Sequence, residues 1–93
     1  MWVISEEQME KIEISILQQR EYRAFRILRG EEEFAQMQEV ELKEKIHAYA
    51  SKVADRKINE AVLLEFIRQC VREPEILEQT SVNRILRIIK EKN

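Results

Sequence analysis

Glu44-Lys45-Ile46-His47 sets a carboxylate and an imidazole three residues apart. That is the spacing with which one helix presents two metal ligands on one face. A dinuclear carboxylate site needs two such pairs and two further acids, and this chain of 93 residues has one histidine. On a helix, Glu44 and His47 also stand roughly 110–170° away from the apolar stripe Leu42/Ile46/Tyr49/Val53. The pair is therefore read as solvent-facing. A zinc site cannot be assembled from the single cysteine and single histidine of one chain. Cys70 lies among Phe66, Ile67 and Val71, where a thiol behaves as a small hydrophobe and its thiolate is disfavoured. Glu31-Glu32-Glu33 follows Gly30 at a helix start, where acids complement the helix dipole. Gly30 stands alone, so no glycine-rich loop cradles a phosphate. No catalytic, cofactor or metal-ligating residues are assigned, and an enzyme is not expected.

Binding chemistry has more material. Arg84, Arg87 and Lys90 stand opposite the apolar stripe of the last helical stretch, and residues 81–93 carry a charge of +3. Arg20, Arg23, Arg26 and Arg29 repeat every three residues, which sweeps them around about 180° of a helix instead of forming one rail. Trp2, Val3 and Ile4 form an apolar strip near the start of the chain. Tryptophan and methionine are favoured in interface cores, which makes Trp2, Phe34, Met37, Val40, Arg84 and Arg87 the candidate partner-binding residues.

Composition sets the bounds. Formal net charge is −2 with 37% charged residues, which disfavours a nucleic-acid module with a large basic field. A hydrophobic fraction of 44% with helical periodicity excludes a disordered chain. One cysteine forms no internal disulfide, so a reducing cytoplasm is the expected setting. No apolar run approaches the ~20 residues that span a bilayer, and the opening residues lack the pattern of a signal peptide.

These side chains must be positioned by helices, because the chain has one glycine and one proline to interrupt it. Ser5 and Gln8 have capping-box spacing, with Ile4 and Met9 placed as a hydrophobic staple. The first helix is expected over 6–29, with Gly30 able to end it in a left-handed conformation. Ile14, Leu17, Ala24 and Leu28 form its seam, and Glu21 occupies a slot in that seam. It is read as an edge glutamate reaching solvent or an arginine. A second helical segment covers 31–54, with the core stripe Leu42, Ile46, Tyr49, Ala50 and Val53. Phe34, Met37 and Val40 drift off that stripe. Either the segment breaks near 38–41, which is preferred, or these three form a second contact surface. Asp55-Arg56-Lys57 reads as a connection. Asn59 caps a helix over 60–73 whose apolar residues cover nearly half its circumference, and Pro74 ends it. Pro74–Glu78 forms one turn, and Thr80 or Ser81 caps a last helix over 81–91. The expectation is an all-α single domain, 1–93, of about four main helices.

Ile4-Ser5-Glu6-Glu7-Gln8-Met9 with Glu13, and Ile58-Asn59-Glu60-Ala61-Val62-Leu63-Leu64-Glu65-Phe66-Ile67 after Leu42, Ile46 and Ala50, resemble small helical accessory proteins encoded beside type VI secretion spike and effector genes. Pro74-Glu75-Ile76-Leu77 sits where that family has an acidic, proline-containing loop. In the turn before the third helix, where that family often has a glycine, this chain has Arg56-Lys57. The resemblance implies an adaptor, chaperone or immunity role around a bacterial effector, and no catalytic residues. The expected function is thus non-catalytic protein binding in the cytoplasm. A nucleic-acid regulator using the last helix, or a homodimer through Phe34, Met37 and Val40, are the alternatives.

Overall fold

The computed structural model describes residues 6–92, with side chains from residue 18 onward. The chain is all-α: α1 (Glu6–Arg29), a single 3₁₀ turn (Glu32–Phe34), α2 (Glu39–Lys52), α3 (Glu60–Arg72), the short α4 (Ile76–Gln79) and α5 (Val82–Lys92). Ser5 and Trp2, and with them the first cap and the apolar strip, lie outside the described residues.

The hub is α3, which packs against α1, α2, α4 and α5. The broad apolar face read from its sequence is the cause: Val62, Leu63, Leu64, Phe66, Ile67 and Cys70 are all buried. Asn59 starts this helix as expected, its side-chain oxygen accepting from the Val62 amide at 2.9 Å. Ile58 and Leu63, on either side of the cap, are both in the core. Glu73 leaves helical geometry with φ −129° and ψ 80°, the conformation that a following proline imposes. Ser81, not Thr80, begins α5, its hydroxyl accepting from the Arg84 amide at 3.2 Å.

One expectation is corrected at the end of α1. Gly30 does not adopt a left-handed conformation; no residue described here has positive φ. Instead the helix tightens, with the amides of Gly30 and Glu31 donating to the carbonyls of Ile27 and Leu28 at 3.2 and 3.0 Å. The 31–54 segment is in two parts, as preferred, with a break that ends at Gln38. The chain leaves its 3₁₀ turn at Ala35, and Gln38 is extended (φ −64°, ψ 145°) immediately before α2. Phe34 is the reason. At 1% exposure it is one of the most deeply buried rings in the molecule, and the link after it re-aims the chain so that Leu42, Ile46, Ala50 and Val53 reach the same core.

The seam between α1 and α2 is antiparallel with a regular register. Arg29 meets Glu39 at 3.9 Å, Lys43 lies 5.0 Å from the Phe25 ring centre, and Glu21 meets His47 at 2.8 Å. Each step of four residues down α1 is matched by four residues up α2, so one turn on each helix faces one turn on the other.

Candidate functional site

The residues weighed for chemistry are dispersed. Glu44 and His47 both face solvent, and His47 turns to α1, where its Nδ1 lies 2.8 Å from Glu21 Oε1. Glu21 is 22% exposed at its side chain against 71% for His47, so the seam carboxylate has a histidine as partner in place of the arginine or solvent expected. Among the described residues no three His, Cys, Asp or Glu side chains group as metal ligands. Cys70 is sealed in the core, and burial pushes its thiol up to about 11.

The acidic trio does more than complement a dipole. Glu31 makes no capping bond; its two carboxylate oxygens accept from Arg68 Nη2 and Nε at 2.6 and 2.9 Å. Glu33 accepts from Arg72 Nε and Nη2 at 2.7 and 2.8 Å. These are paired fork geometries from one link to one helix. The hydrogen bond from Arg68 holds the Glu31 carboxyl below its ordinary range, and Arg72 does the same for Glu33. This part of the surface is acid and base in matched pairs.

The proposed apolar contact surface does not exist as one surface. Phe34 belongs to the core, Met37 packs against the core edge, and Val40 is 66% exposed on α2. A spacing of three residues would place them near one another on a continuous helix, but the link at 35–38 separates them. Among the described residues the exposed large apolar side chains, Tyr22, Ile27, Val40 and Ile88, are scattered over three helices, which is ordinary for a protein surface.

What the fold does assemble is a groove between α5 and the connection joining α2 to α3. It is open, about 480 Å³, and is lined by Arg56, Lys57, Asn83, Leu86, Arg87, Lys90 and Glu91. Leu86, almost fully buried, forms its floor. Of the four cations in its walls, only Arg56 has an acidic neighbour within 4 Å among the described residues, Asp55 at 3.5 Å. Lys57, Arg87 and Lys90 have none. Arg87 is thus in the site and Arg84 is on the exposed side of α5 beyond its lining. Lys90 also lies in the last turn of α5, where its charge complements the negative helix end.

Arg56 and Lys57 were legible only as a connection. Nothing local in Asp55-Arg56-Lys57 reports that it lies beside the last helix; that follows from α5 packing along α3, so that the connection feeding α3 comes alongside. The cluster is chemically suited to hold carboxylates or phosphates by charge-assisted hydrogen bonds, with arginine supplying a fork and lysine a point charge. Comparison of the chain with protein-family models, with characterised proteins and with solved structures finds no match in any of the three.

Proposed function

We propose that this chain is a non-catalytic protein-binding module of the adaptor, chaperone or immunity type. We place it in the cytoplasm and take its partner to be a bacterial effector or spike component. One observation supports binding above all: the groove between α5 and the α2–α3 connection gathers four cations, three of them with no acidic neighbour within 4 Å among the described residues. Charges that stabilise a fold are found paired, as Arg68 and Arg72 are here. Cations gathered around an apolar floor and left unpaired are available to a partner. The similarity to accessory proteins of type VI secretion supplies the biological setting. No helix among the described residues is long and apolar enough to cross a membrane.

A nucleic-acid regulator is the second reading, favoured by the same α5 cations, Arg84 and Arg87. The net charge of −2 weighs against it, because non-specific nucleic-acid affinity is carried by a broad basic field.

Co-expression with the products of adjoining genes, followed by size-exclusion chromatography, tests the first reading. Co-elution as a stable complex is expected, and loss of that complex in the double variant Arg87→Glu/Lys90→Glu. Failure of every adjoining product to co-elute, together with a salt-dependent DNA mobility shift abolished by Arg84→Glu/Arg87→Glu, would replace it with the second.

A further inference from the structure

The connection that walls the cationic groove with Arg56 and Lys57 walls another with its next residues. On the other side of the α2–α3 connection lies a second groove of about 230 Å³, lined by Arg20 and Arg23 of α1 and by Ile58, Asn59, Glu60 and Leu63. The two grooves abut along the chain itself, since Arg56-Lys57 walls the first and Ile58-Asn59 walls the second. Arg20 makes the junction firm. Its Nη2 donates to the Ile58 carbonyl at 3.0 Å, tying α1 to the connection across 38 residues of sequence. Arg23, one turn away, is exposed and has no acidic neighbour within 4 Å among the described residues.

We infer that the two grooves are one track, and that its occupant is an extended acidic segment of the partner protein in which carboxylates alternate with apolar side chains. This rests on the protein-binding reading and adds what the partner must present. The segment runs from Lys90 and Arg87, over Lys57, to Arg23.

Charge complementarity selects an anion, and the floor selects its kind. Leu86 underlies the first groove, and Ile58 and Leu63 the second, each mostly buried with its remaining surface turned to the groove. An extended peptide projects alternate side chains to opposite sides, so apolar residues can meet the floor while neighbouring carboxylates meet the rims. A phosphate chain leaves an apolar floor unused. Single-stranded nucleic acid also takes much of its affinity from aromatic stacking, and neither groove has an aromatic ring in its lining. Tyr22, exposed at 59%, lines two other clefts, one with Phe25 and Lys43 and one with Arg23, and is in the lining of neither groove. Glu60 and Glu91 stand in the walls and penalise a continuous polyanion more than a segment with spaced carboxylates.

Fluorescence anisotropy on the full chain tests the inference, with a short labelled peptide alternating glutamate and leucine, its glutamine counterpart, and single-stranded oligothymidine. The glutamate peptide is expected to bind, weakening as salt rises, and to bind about tenfold tighter than the glutamine peptide. Arg23→Glu and Arg87→Glu each weaken it about threefold to tenfold. Lys52→Glu, exposed but outside both grooves, leaves it unchanged, and far-UV circular dichroism confirms that each variant is folded. Three results overturn the inference. Sensitivity to Arg87→Glu without sensitivity to Arg23→Glu restricts the site to the α5 groove and dissolves the track. Oligothymidine binding tighter than the peptide makes the occupant a nucleic acid. No binding of any probe removes the acidic segment, while the co-elution experiment still decides whether a protein partner exists.

Discussion

Gly30 has only negative-φ geometry to satisfy, and a Cβ placed there would sit 3.5 Å from the Ile27 carbonyl oxygen and 3.9 Å from that of Arg26, ordinary contact distances. Gly30→Ala is therefore expected to stabilise the fold by about 0.4–1 kcal/mol, mainly by restricting the unfolded chain. Thermal unfolding checks this, with a midpoint raised by roughly 2–6 °C expected and a lowered midpoint contradicting the tightened helix end. Glycine after a helix is a sound sign that the helix stops, and α1 does stop there. Its φ was not legible, because a short 3₁₀ turn offers the last carbonyls another set of donors. His47 and Glu21 show a second kind of limit. Each was readable as a misfit on its own helix, an imidazole away from the stripe and a carboxylate in the seam. Their pairing required the register between two helices, which no single-helix pattern contains.

Paired acids and arginines set how the link between α1 and α2 meets α3. Glu31 and Glu33 span from that link to Arg68 and Arg72, one turn apart on α3, and so tie to α3 the link that carries the buried Phe34. Both carboxyls are held below their ordinary value of about 4.5 by these bonds, and Glu39 likewise by Lys43. A depressed carboxyl contributes stability that is complete above its unfolded pKa and is lost as pH falls through the folded value. The fold is thus expected to weaken below about pH 4.5. Urea midpoints measured down through that window should fall, and Glu31→Gln should make the fall shallower; a midpoint independent of pH below 4.5 would contradict the clamp. At neutral pH, Arg68→Ala is expected to lower stability by about 1 kcal/mol, since its partners are only partly buried. Helix existence and the cap at Asn59 were legible because they are local: a stripe, a capping side chain, a proline. The break before α2 was legible as a change of stripe direction between Phe34 and Leu42. Its position was legible to within a few residues; that it begins as early as Ala35 was not, because the burial of Phe34 decides it through contacts distant in sequence.

At the scale of the whole molecule, charge clusters locally. Matched pairs occupy the surface where the 3₁₀ link meets α3, while Arg23, Lys57, Arg87 and Lys90, with no acidic neighbour within 4 Å among the described residues, line the grooves beside the α2–α3 connection. A net charge of −2 conceals this clustering, which is why composition disfavoured a nucleic-acid module while saying nothing of where an acidic segment could sit. Arg87 was found from the polar face of the last helix alone. Arg56, Lys57 and Arg23 enter the site only when α1, the connection and α5 converge. The most direct test follows chemical shifts of the ¹⁵N-labelled chain while the glutamate–leucine peptide is added. The account predicts perturbations concentrated at Arg20–Arg23, Arg56–Asn59 and Asn83–Glu91, diminishing with added salt. Perturbations centred instead on Glu31–Glu33 and Arg68–Arg72, or on the exposed residues Ile27 and Val40, would contradict it.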